Sequence, residues 1–496
     1  MKNLYSELAL SHIYKLLSNL DREPHSNTYG SFDRTYWSWK FTDFQGPRLQ
    51  EALYTMCWLY NTEAEWNEYH DSEKLLEWIE AGFNFWIKLQ NKDGSFDEAY
   101  PFERSLAATS FSSFYISEGY LLVNDHISCD LRNRLLETFS KASIWLCKNT
   151  ETHGILSNHL AAAAASLFSM NIILKDDQIT RRAESFIEFI IDKQSIEGWY
   201  EEYGGCDIGY QTHCMFYLAH IWLRRRDDSL FNSLEKALIF SSHFIHLNGT
   251  IGGEYFSRNT NFYFPAAFEM LSPYNAEAAS IAAFMRRSVK SQIAVGLSMM
   301  DVFNHIPMIS NYLFASDHYS DIKYPNDLPF FENGEKFFPE AGIFVYKTKN
   351  YQAFLGLSKG GVLKVFCKHT KKLVHSDCGY YKKVRGHIIS SQSSSQDIDW
   401  KKEGQTFSVS SPFLFVNQTK MNSWVFMAFR FFSLTLGRFP IVARGLKKLL
   451  VKVLVTRKKK AKSKLKRKIT FTSGSIFIED KITDSMDLSD NSSYWL

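Results

Sequence analysis

"FNFWIKLQNKDGSFDEAY", residues 83–100, returns further along the chain as "FIEFIIDKQSIEGWYEEY", residues 186–203. In both, an aromatic helix end runs through a polar turn to a glycine, Gly94 or Gly198, and a new segment begins. Fainter copies are "ASIWLCKNTETHGILSNH" (142–159) and "SSHFIHLNGTIGGEYFSRN" (241–259). Glycine is expected where a helix stops in the left-handed conformation, so the four stretches read as one joint used repeatedly. Their spacing, roughly 45 to 60 residues, is that of helical-repeat units. Repeated hairpins bury their faces on one another and close into a toroid or stack into a solenoid. Ile13, Leu16, Leu17 and Leu20 keep helical spacing, as do "LLEWIEAGFNFWIKL" (75–89) and "AESFIEFIIDK" (183–193). Residues 1–310 are therefore expected to form an incomplete (α/α) toroid of helical hairpins.

After a linker expected over 311–337, the pattern changes to period two. "AGIFVYKTKNYQAFLGLSKGGVLKVFCKH" (341–369) alternates and uses "KTKN" and "SKGG" as turns, the signature of an antiparallel meander. "TFSVSSPFLFV" (406–416) and "KITFTSGSIFIEDKIT" (468–483) continue it. An antiparallel β-sandwich domain is expected over 338–496, with an amphipathic basic insertion at 423–468.

The chain has 496 residues, 45% hydrophobic and 16% aromatic, enough for substantial cores, which excludes disorder as the default. No apolar stretch approaches the roughly 20 residues that span a bilayer. Glu7, His12 and Lys15 interrupt the apolar N-terminus, which reads as an amphipathic helix and not as a signal peptide. The seven cysteines are scattered and odd in number, without CxxC pairing or zinc-ligand spacing. A cytoplasmic location is expected, with no metal and no cofactor.

Of 57 Lys and Arg, 13 fall between Val442 and Lys468, where there is no Asp or Glu. Leu446, Leu449, Leu450 and Val453 form a stripe beside Lys447, Lys448 and Lys452, and "RKKKAKSKLKRK" (457–468) follows. Two readings stand. Residues 442–468 form an interfacial helix touching anionic lipid, peripherally at an inner membrane, or a docking surface for an acidic polymer; or they hold a helix over one sheet face with a solvated lysine tail. No nucleic-acid module accompanies the run, so nucleic acid is not an expected partner.

The joints carry the chemistry. They hold Asp97, Glu98, Tyr100, Glu103 and Arg104; Ser157, Asn158 and His159; Glu201, Glu202, Tyr203, Asp207, Tyr210, Gln211 and His213; and Glu254, Tyr255, Arg258 and Asn259. If the hairpins repeat, these sit at one end of the assembly around one cleft, aromatic for stacking on sugar rings and polar for hydroxyls and carboxylates. Each also has a structural use. Asp97, Glu98 and Asp207 suit helix caps, Ser157 or Asn158 suits the start of the alanine helix, Arg258 an ion pair, and Tyr210 a core position.

"ILSNHLAAAAASL" (155–167), "GWYEEYGGCDIGYQT" (198–212) and "GGEYFSRNT" (252–260), followed by a β domain, resemble the heparinase II/III-like and alginate-lyase-like proteins. The closer resemblance is to a branch associated with bacterial surface-polysaccharide biosynthesis. The resemblance implies β-elimination on a uronate-containing acidic glycan or lipid-linked oligosaccharide, or C-5 epimerisation through the same proton abstraction. It implies Asn158 and His159 as the pair that neutralises the carboxylate, and Tyr210 as the catalytic tyrosine. Such a tyrosine must be lowered by a cation such as Arg258 or His213 to act as a base. Arg104, Glu202, Tyr203, Asp207, Gln211, His213, Arg258 and Asn259 are the expected substrate contacts. Of the His-x-His-x-Asp-like element of secreted members, only His375 and Asp377 remain, in "HSDCGYY" (375–381). Two alternatives stay open: a glycoside hydrolase using Asp97, Glu98, Glu202 or Asp207, and a non-catalytic glycan-binding or assembly protein.

Overall fold

The computed structural model describes residues 2–40, 42–151, 154–321, 328–384, 386–392, 398–416, 422–451, 459–483 and 493–495. Two kinds of helix alternate along its first part. Ala52–Asn61, Leu106–Val123, Ser157–Leu174, Ile208–Arg225, Ala266–Leu271 and Val302–Asp317 are buried on nearly every side. Between them, Glu73–Leu89, Cys129–Lys148, Asp177–Asp192, Asp228–Ser242 and Ala276–Lys290 bury a single apolar stripe. That is the pattern of an inner and an outer ring. Each inner helix packs on the next, and Val302–Asp317 returns to pack against Ala52–Asn61. The first outer helix is broken into Leu4–Ser11 and Ile13–Leu17.

Close approach of the inner helices explains the alanine run. Ala161 to Ala165 and Ser166 are all buried, and Ser157–Leu174 packs on Leu106–Val123, which presents Ala107, Ala108, Ser112 and Ser113. The repeated joint is also physical. Gly94 and Gly198 both have positive φ, and a Cβ on either would fall 2.2 Å from a carbonyl oxygen of an outer helix, Lys141 or Lys236. Only glycine allows that turn against that helix.

The second part is an antiparallel sandwich. Gly334–Phe338, Ile343–Lys347, Tyr351–Gly356, Val362–Cys367 and Lys372–Asp377 form a meander in chain order, with the expected turns at 347–350 and 358–361. Strict alternation splits its residues between two cores. Phe344, Ala353, Leu355 and Leu363 meet Phe407, Val409, Ile469 and Phe471 of the second sheet, whereas Ile343, Val345, Phe354 and Val362 join the core of the toroid. The second sheet runs Ile476–Thr483, Lys460–Phe471, Thr406–Phe415, His387–Ser390, Tyr380–Val384 and Ser493–Trp495, with Asp399–Glu403 also paired to Thr406–Phe415.

Two boundaries differ from expectation. Residues 311–317 are not linker: they finish the helix Val302–Asp317, where Asn311 to Ala315 are buried in the ring, and the first strand opens at Gly334. The insertion is shorter than 423–468. It comprises the helices Ser423–Leu434 and Pro440–Val451, whereas Lys460–Phe471 is a central strand. Lys462, Lys464, Lys466 and Lys468 are exposed on one face of it, while Ser463, Leu465, Arg467 and Ile469 are buried on the other. A basic run with period-two apolar partners is a strand and not a solvated tail. Lys452 and Val453 lie outside the described residues.

Candidate functional site

The joint at 91–105 is a small loop built around Asp97. Its carboxylate accepts from the backbone N–H of Phe102 (2.7 Å) and of Arg104 (2.8 Å) and from Asn91 Nδ2 (2.9 Å). Asp97 is thus spent on shaping the loop. Glu103 folds back on the same loop, accepting from the backbone of Ala99 (2.7 Å) and Glu98 (3.2 Å). Ser105 caps the helix Leu106–Val123 and donates its hydroxyl to Glu98.

The next two joints are zipped together. Leu156 and Glu202 form an antiparallel bridge, Tyr203 N–H donates to Ile155 O (3.1 Å), and Ser157 donates its backbone N–H and its hydroxyl to Glu201 O. The helix Ser157–Leu174 has no cap from its own N-cap residue, Leu156. Glu202 supplies one across the joint, accepting from Asn158 N–H (3.0 Å) and Asn158 Nδ2 (2.6 Å). One residue on, His159 Nδ1 meets Glu151 Oε2 at 2.9 Å. The ring also meets Phe111 edge-on, with centroids 5.5 Å apart, but among the described residues no second hydrogen-bond partner of the ring is seen, so Nε2 is the nitrogen left for chemistry.

The fourth joint closes the back of the site. Asp207 caps Ile208–Arg225 and also accepts from the backbone of Arg258 (3.1 Å) and Thr260 (3.3 Å). This brings the Arg258 guanidinium to 4.7 Å from the Tyr203 ring centre, where its charge also acts on the Tyr210 phenol. A cation over an aromatic face is held by the ring quadrupole, so Arg258 fixes Tyr203 in place.

These loops enclose a pocket of ≈ 310 Å³. The joint at 91–105 supplies Glu98, Tyr100, Glu103 and Ser105, the second supplies Glu151 and His159, and the third supplies Tyr203. The remaining wall comes from Ala107 and from the insertion, Lys447 and Leu450 of Pro440–Val451. Lys447 Nζ lies 3.2 Å from Glu103. Behind the pocket, Arg48 reaches Glu51 (2.8 Å) and Glu98 (3.4 Å) and lies over the Phe111 ring.

Burial sets the electrostatics. It pushes the Glu202 carboxyl up to about 8, a shift that the two Asn158 hydrogen bonds only partly oppose. Burial raises Glu103 too, with Lys447 opposing. Glu98 goes the other way. Burial alone would raise it, but Arg48, His159, Ser105 and Lys447 together hold it below its ordinary value. Burial pushes the Tyr203 phenol up to about 12 despite Arg258.

The expected site residues therefore divide. His159 and Tyr203 line the pocket, Arg258 supports Tyr203, and Glu202 with Asn158 sits one layer behind. Tyr210 is not on the pocket wall, and burial raises its phenol in spite of Arg258, the reverse of what a basic tyrosine requires. His213 cannot lower it. It is stacked between Phe111 and Phe264, bonded to the Tyr217 hydroxyl, and held neutral by burial. Gln211 is spent on the backbone of Tyr200 and Gly198, and Asn259 accepts from Lys359. Arg104 pairs with Asp93 and grips the carbonyls of Gly437 and Arg438, so it anchors the insertion instead of lining the pocket. Asp377 pairs with Arg467 inside the sandwich. Arg48, Glu151 and Lys447 were missed. Glu151 stands in a quoted joint and was legible there; Arg48 and Lys447 arrive from distant segments and leave no local signal. Among the described residues, no cluster of His, Cys, Asp and Glu is arranged to hold a metal ion.

No family model matches the sequence, and no curated protein matches it. Solved structures do. A xanthan lyase from Paenibacillus superposes with a TM-score of 0.52 at 10% identity, covering 84% of this chain and 46% of that one. The chondroitin AC lyase of Streptomyces coelicolor A3, solved in complex with chondroitin sulphate, gives a TM-score of 0.52 at 10% identity, over 83% of this chain and 66% of that one. The chain thus spans about half the length of the first and about two thirds of the second. It has the fold of these polysaccharide lyases, a helical toroid followed by antiparallel sheets.

Proposed function

We propose that the protein acts on an acidic polysaccharide by lyase-type chemistry, with His159 as the base and Tyr203 as the proton donor. The observation that carries this reading is the His159–Glu151 pair opening on the same pocket as Tyr203. A base oriented by a carboxylate is the arrangement that proton abstraction needs. In the proposed step, Nε2 takes the C-5 proton of a uronate, the C–H electron pair becomes the C4–C5 double bond, and the C4–O bond breaks. The departing oxygen takes a proton from Tyr203, whose raised phenol stays protonated at neutral pH. Lys447 at one wall and Arg258 behind Tyr203 provide the positive field that the developing enediolate requires. If the leaving bond holds and the proton returns to the other face of C-5, the same residues give an epimerase.

The finer reading places this activity in surface-glycan biosynthesis, on a polymer or a lipid-linked oligosaccharide. The seven free thiols, including exposed Cys129, support a reducing, cytoplasmic compartment for it. Among the described residues no helix is long and apolar enough to cross a membrane.

Glycoside hydrolysis is the second reading, because Glu98 and Glu103 line one pocket and are shifted in opposite directions. Incubating the protein in heavy water with a panel of uronate-containing glycans separates the readings. An ultraviolet band from an unsaturated uronate identifies a lyase, and deuterium at C-5 without cleavage an epimerase. New reducing ends with neither signal overturn the proposal in favour of hydrolysis, and binding without any of the three leaves a glycan-holding protein.

A further inference from the structure

The insertion presents two faces. Its inner face is pinned to the toroid: Phe429 packs edge-on against Tyr100, Arg430 pairs with Asp43 (2.7 Å), Lys447 reaches Glu103, and Ala443 is buried. Away from those contacts, ten large apolar side chains between Trp424 and Leu449 are exposed. Trp424 is 78% exposed, Phe431 73%, Phe439 61% and Ile441 80%. Scattered exposed apolar residues are ordinary, but a concentrated patch on two consecutive helices marks a binding surface. Exposed Arg438, Arg444 and Lys448 border it, and no acidic residue occurs between Ser423 and Lys468.

We propose that this outer face docks on a bilayer containing anionic phospholipid, lying in the headgroup layer without crossing it. Aromatic and aliphatic side chains on the outer face of short helices, flanked only by cations, are what an interfacial anchor requires. The charge pattern fits an anionic headgroup and disfavours a neutral one. Each helix has 12 residues, too short to span a bilayer. The surface is centred on 423–449 and not on the lysine strand, whose cations belong to the second sheet. Because Lys447 and Leu450 of the same hairpin line the pocket, docking also brings the pocket mouth to the membrane; that consequence rests on the reading of the pocket as a glycan site, whereas the docking does not.

Co-sedimentation of the full-length protein with vesicles of phosphatidylcholine alone, or of phosphatidylcholine and phosphatidylglycerol, tests the proposal without any turnover measurement. The parent is expected to pellet with the anionic vesicles at least tenfold more strongly than with the neutral ones. A variant with Trp424→Ser, Phe431→Ser, Phe439→Ser and Ile441→Ser is expected to stay in the supernatant, with an unchanged far-ultraviolet circular dichroism spectrum because those side chains are exposed. The milder R438E/R444E/K448E variant is expected to lose the preference for anionic vesicles. No pelleting of the parent, equal pelleting with both vesicle types, or undiminished pelleting of the serine variant each overturns the proposal. So does a parent dimer in sedimentation velocity that the serine variant dissociates, if the parent does not bind vesicles.

Discussion

Glu202 accepts two hydrogen bonds from Asn158, one from its backbone N–H and one from its side-chain amide, and so starts a helix that its own sequence leaves uncapped. The capping residue is remote in sequence, and the bridge between Leu156 and Glu202 delivers it. Asn158 is consequently a positioning residue. It locks the turn that presents His159, while its amide is taken up by a buried carboxyl.

That carboxyl makes stability depend on pH. In the unfolded chain a glutamate releases its proton near pH 4.5, but burial keeps Glu202 protonated up to about 8 in the fold. The folded state therefore binds the extra proton between these values, and stability falls as pH rises through that window. Glu202→Gln keeps an acceptor for Asn158 without the charge. Its melting-temperature advantage over the parent is expected to grow from pH 5 to pH 8 and then level off, worth on the order of a few kcal/mol at 1.4 per unit. A difference independent of pH would show that Glu202 titrates normally.

Two tyrosines compete for the proposed role of proton donor. Tyr203 lines the pocket and Tyr210 lies behind it against Arg258. Tyr203→Phe is expected to lower kcat by about 10²-fold or more, the scale of a lost general acid, with little change in KM. Tyr210→Phe should cost much less. The opposite order would return the assignment to Tyr210.

How much of this was legible in the sequence depends on where each partner lies. The toroid was readable because helical period and joint glycines are local, and the meander because its turns sit beside its strands. Three of the four joints meet at one pocket, as a shared end of repeated hairpins implies, but the division of labour within them is not local. Asp97, Asp207 and Gln211 turned inward to satisfy backbone groups, a choice made by loop geometry that no spacing reveals. Tyr203 and Tyr210 are seven residues apart in one motif, and only the bridge to Ile155 and Leu156 decides which faces the pocket. Lys447 lies hundreds of residues from Glu103, so no pattern local to either residue predicts their meeting.

His159 and Glu151 should act as a unit. His159→Gln is expected to abolish turnover within detection, a loss of about 10³-fold or more, and Glu151→Gln to reduce it while leaving substrate binding intact. Because the carboxylate works only through the ring, adding Glu151→Gln to His159→Gln should cost nothing further. Full activity of Glu151→Gln, measured as unsaturated uronate formed per minute, would remove Glu151 from the mechanism.

Lys447 and Glu103 tie the insertion to the pocket, and both side chains are largely removed from water. Taking away one member of such a pair strands the other charge, which costs about 3–5 kcal/mol, whereas taking away both costs far less. Lys447→Met is therefore expected to destabilise the protein in urea unfolding. It should also raise Glu103 further, since burial already pushes that carboxyl up and Lys447 is what opposes it. The folded state then holds its proton to a higher pH than the unfolded chain, so the instability of Lys447→Met should be worst at pH 8 and relieved towards pH 5. Adding Glu103→Gln should restore most of the stability and abolish that pH dependence. Additive effects of the two substitutions, or a pH-independent loss in Lys447→Met, would mean that the hairpin is held to the cleft by packing alone.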